Sequence, residues 1–488
     1  MAAREKRLHQ LAAALGIQLG AGSPDPMITG ITEDTRRLSP GGLFVAIPGT
    51  AQDGVRFAGE AVRRGAGAIV AEQPVAGLAV PLLVVSEARE ALARLAAAFY
   101  GEPTRELLCI GVTGTNGKTS VCHWAAHMLG AASCALVGTV ANEAHGVGGL
   151  TTPPSPVVQR IAREAVDAGK QALIIEASSI GLAQRRLDAV DLDIAAFTNF
   201  TADHLEWHGT EAAYMDAKAM LFRGLSGEGW AVVHAQGAAA EQMLAATRGR
   251  PFRVGRRGSL DLHLSPIGAG PADTRFRLRQ GEESVDTWIP FPGRHNVDNA
   301  LVAAGIACCA GTTLRDIGER LPSIPAVPGR WETYHRPDGK TAIVDFAHNR
   351  AGLLQMLTEL KSRFDRVIVV FGMPGETRTQ ERRLMGEVAG RQADLVIVTS
   401  DNPKDENPSA IAREIGDGVE AVGGSHEVIV DRVAAIEKGV DSLGRRSAAM
   451  LVAGKGPETF QIIQGAHVPH SDRAVLESLG FERRDSEA

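Results

Sequence analysis

The amino-acid sequence predicts an α/β protein of three domains built on mostly parallel sheets, and three observations carry that expectation. Its 488 residues correspond to about three domains at ~150 residues each. Nearly continuous apolar runs of strand length alternate with stretches of helical length, as βαβ units require. Aromatic residues make up only 5% of the chain, while 55 glycines and 24 prolines punctuate it. That balance suits Ala/Val/Leu-packed layers joined by many turns better than an aromatic-rich sandwich. With 44% hydrophobic and 22% charged residues, the chain has the composition of an ordinary globular protein and can bury large cores.

The elements follow in order. Leu8, Leu11 and Leu15 form the stripe of an amphipathic helix, so the basic N-terminus is read as part of the fold and export as the minor alternative. Apolar runs at Leu43–Ile47, Ala68–Ala71 and Pro81–Val85 and a helical stretch Ala88–Tyr100, stopped by Gly101 and Pro103, complete a first domain, residues 1–104. A second, 105–326, is expected around strands Leu107–Val112, Ala172–Glu176, Ile194–Thr198 and Trp230–Val233. Residues 321–328 hold three prolines and read as an extended linker. The third domain, 327–488, has five apolar runs, Thr341–Phe346, Arg366–Phe371, Leu395–Thr399, Glu427–Val430 and Ala448–Ala453, the pattern of buried parallel strands in a Rossmann-like sheet. Ligands of such sheets sit beyond the carboxyl ends of the strands, which points to Asp345–His348, Gly372–Gly375, Asp401–Lys404 and Gly454–Gly456.

Composition also excludes functions. A net charge of −6 argues against general polyanion binding, so nucleic acid is not an expected partner. Five cysteines without C-x-x-C spacing fit neither a disulfide framework nor a structural zinc site. They suit a reducing cytoplasm. No stretch approaches the ~20 apolar residues of a membrane span, and a cytoplasmic monomer without membrane attachment is expected.

The clearest chemical feature is Gly114-Thr115-Asn116-Gly117-Lys118-Thr119, between an apolar strand and the helical stretch Ser120–Leu129. Such a loop turns backbone N–H groups towards phosphate oxygens, Lys118 adds a point charge, Thr119 offers a hydroxyl to Mg²⁺ and the helix start adds its dipole. The strict Walker pattern has glycine where Val112 stands. The ligand read from this loop is a nucleotide, and the second domain is read as a P-loop domain. Glu176, ending its strand, places a carboxylate where the phosphates should lie. His204 and His208 are four apart, but the glutamate of H-E-x-x-H is misplaced, which removes hydrolytic zinc and leaves His204 near Mg²⁺. Lys218 alone reads as a surface lysine.

Taken together, Gly114–Thr119, Thr151-Thr152-Pro153, Glu176-Ala177-Ser178-Ser179, Thr198–Gly209 and Pro328-Gly329-Arg330 resemble the Mur ligase family over nearly the whole chain. Asp34-Thr35-Arg36, Pro40–Ala46 and Asp401–Pro408 resemble the branch that adds the third amino acid to UDP-N-acetylmuramoyl-L-alanyl-D-glutamate. The resemblance implies an ATP-dependent, Mg²⁺-assisted ligase of peptidoglycan biosynthesis. It implies Lys118, Glu176, His204 and Lys218 as catalytic residues, Lys218 being carbamylated, with Thr119, Glu176, His204 and Lys218 near the metal. ATP would meet Gly114, Thr115, Asn116, Gly117, Lys118 and Thr119, together with Asn296, Asn299, Arg330, Asp345 and His348. Thr35, Thr151, Thr152, Ser178, Gln184 and Arg186 would hold the UDP-muramoyl dipeptide, and Asn402, Lys404, Gly454 and Glu458 the incoming amino acid.

The chemistry behind this is activation of a carboxylate as an acyl phosphate, which an amine then captures behind a closing third domain that excludes water. Lys404 stands where diaminopimelate-adding members carry arginine. Like charges ~4 Å apart at an effective dielectric of ~20 repel by roughly 4 kcal/mol, so Lys404 should favour meso-2,6-diaminopimelate over L-lysine. The family's Gly-Gly-Asp-Arg loop is here Pro374-Gly375-Glu376-Thr377, with Arg378 following. Asn349-Arg350 replaces Thr-Pro, and Ile180 and Pro457 each replace a histidine. These departures leave L-lysine, another amino acid or another acceptor open as alternatives. A non-ligating nucleotide switch or regulatory ATP-binding protein is the alternative of another class, and Glu176, His204 and Lys218 argue against it.

Overall fold

The computed structural model describes residues 5–49, 52–270, 272–444 and 447–484. The expected α/β architecture is present, organised around three main sheets. The first has four parallel strands in sequence order, Ile31–Thr32, Leu43–Val45, Ala68–Ala71 and Leu82–Val84. The helix Leu8–Ala14 buries Leu8 and Leu11 against it, and Ala88–Tyr100 packs on the same core.

The second sheet has nine strands. Six parallel strands run Arg250–Gly255, Trp230–His234, Ile194–Phe197, Leu108–Thr113, Ala172–Glu176 and Cys134–Val137. Leu108–Thr113 thus lies between Ile194–Phe197 and Ala172–Glu176, so the loop after it opens between the ends of both neighbours. Beyond Arg250–Gly255, Leu262–Ala269 adds in parallel, and Thr274–Gln280 and Glu283–Ile289 extend the edge antiparallel. Apolar side chains fill both faces, as continuous apolar strands demand.

The third sheet runs His426–Val428, Leu395–Val398, Arg366–Phe371, Ala448–Ala453 and Thr341–Asp345 in parallel, with Glu332–His335 and Glu482–Arg483 antiparallel at the far edge. The proline-rich segment departs from the expected extended linker. Leu321–Ser323 forms a 3-10 turn, Leu321, Ile324 and Val327 are buried in the central core, and the Trp124 indole donates to the Pro325 carbonyl at 3.0 Å. The apolar residues between the prolines supply the anchors that a solvated linker would lack.

Candidate active site

The loop after Leu108–Thr113 turns into the helix Lys118–Leu129. Gly117, at φ +86°, precedes that helix. Lys118 Nζ donates to the carbonyls of Gly114 and Thr115, each at 2.9 Å. Lys218 Nζ, 1% exposed, donates to the same Gly114 carbonyl at 2.8 Å and lies 4.1 Å from the centre of the Tyr214 ring. The surface-lysine reading of Lys218 is therefore incorrect: the helix Glu211–Arg223 turns it inward.

Glu176, at the end of its strand, accepts from the Thr119 hydroxyl at 2.9 Å through Oε2 and from the Thr139 amide at 2.9 Å through Oε1. Arg330 reaches the same Thr119 hydroxyl at 3.0 Å from the start of the third sheet's segment. The acceptor-site candidates cluster beside Glu176. Thr152 Oγ1 donates to the Glu176 carbonyl at 2.6 Å and accepts from the Ser178 amide at 2.9 Å, Arg186 donates to the Thr152 carbonyl, and Thr151 lies 3.2 Å from the Thr139 hydroxyl.

A single cavity of about 720 Å³ joins these groups. The loop residues Thr115–Thr119 line it with Glu176, His204 and Lys218, and so do Thr151, Thr152, Ser178 and Arg186. Asn296, Asn299, Arg330, Asp345 and His348 contribute a second wall, and Asn402, Gly454 and Glu458 a third. Gly114, Thr35, Gln184 and Lys404 do not line it. The Thr35 hydroxyl donates to Glu60 at 3.3 Å, Gln184 accepts from Arg186, and Lys404 pairs with Glu376 at 3.4 Å. Asn402 donates to Glu458 at 3.1 Å, and the fully buried Lys455 ties Asp401, Asn402 and Glu458 together.

Family descriptions match three consecutive stretches: "Mur ligase family, catalytic domain" at residues 27–100, "Mur ligase middle domain" at 112–307 and "Mur ligase, glutamate ligase domain" at 329–456. Curated relatives named UDP-N-acetylmuramoyl-L-alanyl-D-glutamate--2,6-diaminopimelate ligase are similar over nearly their whole length. The one from Geobacillus kaustophilus is 38% identical, covering 95% of this chain and 96% of the relative, and that from Caulobacter vibrioides is 39% identical, covering 93% and 95%. The chain belongs to the Mur ligase family. A solved structure bearing the same ligase name superposes with a TM-score of 0.66 at 28% identity, covering 96% of this chain and 98% of the other. A MurF ligase from Thermotoga maritima in complex with ADP shares the fold, with a TM-score of 0.61 at 19% identity over 88% and 94% of the two chains.

Burial dominates the electrostatics of this Mur ligase site. It pushes the Lys118 ammonium down, and pushes Lys218 well down with Lys118 adding to the effect. Burial pushes the Glu176 carboxyl up, against the pull of Lys118 and Arg330. His204 is held down at about 4 and His348 at about 3, again chiefly by burial, so both imidazoles are neutral at pH 7. Burial opposes the charge on Asp203, yet Arg378 beside it holds that carboxyl well below the usual range. Among the described residues no group of three His, Cys, Asp or Glu side chains could hold a metal. What the site offers is one carboxylate touching one hydroxyl, a hard-oxygen pair of the kind Mg²⁺ uses when substrate phosphates and water complete its shell.

Several cavity residues escaped the sequence reading. Tyr214 sits one helical turn before Lys218, a spacing that marks it as a neighbour. Arg378 enters the cavity from the third sheet, noted in the sequence only as the arginine that follows Thr377; Asn349, noted there as a departure from the family pattern, does not line the cavity but bonds Asn116, which does. Thr139 carried no signal, because the strand before it, Cys134–Val137, was not recognised.

Proposed function

We propose that this Mur ligase uses ATP to join an amino acid, in the first place meso-2,6-diaminopimelate, to UDP-N-acetylmuramoyl-L-alanyl-D-glutamate in peptidoglycan biosynthesis. The observation that carries the reading is the single cavity in which the phosphate loop, the Thr151/Thr152/Ser178/Arg186 cluster and the Asn402/Glu458 pair converge. The names of relatives 33–39% identical over most of the chain support it. In the first step a substrate carboxylate oxygen attacks the terminal phosphorus of ATP, the bond to the ADP oxygen breaks, and an acyl phosphate forms. In the second the amine attacks the acyl carbon, phosphate leaves with the C–O electron pair, and the nitrogen loses a proton.

Loop amides and Lys118 hold the phosphates, and Arg330, fixed on Thr119, adds positive charge where both steps gather negative charge. Thr119 and Glu176 would hold Mg²⁺, which when bound neutralises phosphate charge. The neutral imidazole of His204 would stand near it. Burial keeps the Lys218 amine poised to lose its proton, the form that attacks carbon dioxide: the N–C bond forms, a proton leaves, and a carbamate results. Asn296, Asn299, Asp345 and His348 are assigned to the nucleotide, and Thr35 and Gln184 to outer parts of the UDP-muramoyl dipeptide. Asn402, Lys404, Gly454 and Glu458 are assigned to the amino acid.

We take the three sheets as three domains, with boundaries near 104 and 326, in a cytoplasmic monomer that binds neither nucleic acid nor membrane. No helix among the described residues is long and apolar enough to cross a membrane. The Glu376 carboxylate beside Lys404 favours a second reading in which the amine differs, since it offsets the cation expected to exclude L-lysine. ADP release measured against a panel of amino acids, with and without the UDP-muramoyl dipeptide, tests both. Turnover only with both substrates, fastest with diaminopimelate, is expected. ADP release indifferent to them would overturn the ligase reading.

A further inference from the structure

Four residues far apart in sequence, Asn116, Asp203, Asn349 and Arg378, meet beside the cavity, which Asn116 and Arg378 line. The Arg378 guanidinium pairs with Asp203 at 2.8 Å, with the two side chains only 9% and 6% exposed, and donates to the His348 carbonyl at 2.8 Å. Asn349, also buried, donates from its amide nitrogen to the other Asp203 oxygen at 2.9 Å and to the Asn116 side chain of the phosphate loop at 3.2 Å. Its own oxygen is fixed by the Gly352 amide at 2.8 Å. Asn349 and Arg378 belong to the third sheet's connections, Asn116 and Asp203 to the second's. Both sides of this contact are conformationally unusual. Arg378 and His204, which follows Asp203 and donates its amide to the Asp203 carboxylate, have φ of +54° and +53°, a region non-glycine residues occupy when surrounding contacts over-determine them.

We propose that Arg378 and Asn349 are positioning residues forming, with Asp203, a clasp that holds the third sheet onto the phosphate loop and couples carboxylate activation to amide formation. The inference rests on the ligase reading above. Its physical content is that two buried, charge-assisted contacts fix Asp203, while the same Asn349 amide holds the loop side chain Asn116 through a neutral hydrogen bond. Arg378 is thereby committed to Asp203 and the His348 carbonyl, and does not replace the arginine missing at Thr377 as a holder of the amino acid's carboxylate. With the clasp made, the acyl phosphate is shielded from water. With it broken, water takes the place of the amine: the acyl phosphate is cleaved to the starting carboxylate and phosphate, with one ATP consumed and no amide made.

The test compares the full-length protein with R378A, R378K and N349A, each checked for an unchanged melting profile. Phosphate released per amide formed should be close to one for the wild type and should rise several-fold in R378A and N349A, with R378K between. KM for the amino acid should rise roughly tenfold, the worth of a hydrogen bond to a charged group, while KM for ATP stays near its original value. Amide hydrogen exchange without substrates should speed up roughly tenfold or more at residues 203–209 in R378A and N349A. A strut with no coupling role would lower turnover and leave the phosphate-to-amide ratio at one, which overturns the proposal, as does unchanged exchange. A wild-type protein forming no amide with any amino acid would refute the ligase reading and the coupling role with it, and the exchange measurement would then score the docking contact separately.

Discussion

Gly117 offers the sharpest test of the phosphate loop. Its φ of +86° places it where L side chains are strained, and an added Cβ would lie 2.1 Å from the Asn299 Oδ1 and 2.9 Å from its Cγ. Asn299 is buried on the helix Arg294–Cys309 and cannot swing into solvent, so the loop itself must shift in G117A. Gly339 supplies the control: its φ is +87° with nothing within 4 Å of the added atom. Both alanine variants should lose ~1–2 kcal/mol from backbone strain alone. Only G117A also displaces Lys118 and Thr119, and a shift of ~1 Å costs roughly 100-fold in turnover. Denaturant unfolding and ADP release under saturating acceptor and amino acid measure the two effects. G339A should be weakened in stability with normal turnover, and G117A weakened in stability and nearly inactive. Equal turnover in the two variants would refute the placement of the loop against Asn299.

Three further outcomes are expected. With carbon-13-labelled bicarbonate, NMR should show a carbamate carbon that K218A lacks, and its absence from the wild type would remove Lys218 as a carbamylated residue. Burial depresses His295 from 6.5 to about 4 and leaves its Nδ1 without a hydrogen-bond partner among the described residues. The unfolded chain therefore takes up a proton as pH falls through 6.5 that the folded chain refuses until about 4. Stability is fully present above about 6.5 and declines below it, by at most ~3 kcal/mol from this group; H295F should flatten that decline in denaturant titrations at neutral and mildly acidic pH, and an unchanged decline would contradict the burial argument. E376Q should free the Lys404 cation and raise the kcat/KM preference for diaminopimelate over L-lysine. Both groups are partly exposed, so ~1 kcal/mol, about fivefold, is the expected size, and a preference that moves the other way would overturn this account of the pair.

Fully buried parallel strands such as Ala172–Glu176 and Ala448–Ala453 were legible because both faces are covered, leaving each as an uninterrupted apolar run, whereas the partly exposed parallel strands Cys134–Val137 and Arg250–Gly255 were not. The edge strands Thr274–Gln280 and Glu283–Ile289 were missed, although Phe276 and Leu278 alternate inward between outward arginines; a search for long runs does not register period-two alternation. The phosphate loop was legible because its chemistry is local, six consecutive residues between a strand and a helix. The contact among Asn116, Asp203, Asn349 and Arg378 was not, since tertiary packing alone brings these residues together. Lys404 illustrates the same limit: its charge could be read directly, but its neutralising partner lies 28 positions earlier, at Glu376.

The departures from the family pattern are unevenly distributed, and the architecture explains why they can coexist with ligase chemistry. Lys118 and Thr119 on the helix Lys118–Leu129, Lys218 on the helix Glu211–Arg223 and Glu176 on its strand all belong to the unit built on the central sheet, to which carboxylate activation is assigned above. Buried cations without compensation are costly to a fold, and the central part of the cavity gathers Lys118, Lys218 and Arg330 with Glu176, Asp345 and Asp203 as the carboxylates acting on them. Glu376, Thr377 and Lys404 lie on the third sheet's loops, away from that charge cluster. On the proposed assignment, changes there should alter which amine is received without disturbing the phosphates. Ile180, a changed position that lines the cavity beside Ser179, is one exception, and the clasp is another, since Asn349 stands at a changed position yet bonds Asn116 of the loop, with Arg378 beside it on Asp203. Substitutions around Lys404 should therefore move amino-acid selectivity alone, whereas substitutions in the clasp should change how faithfully ATP consumption is converted into a peptide bond.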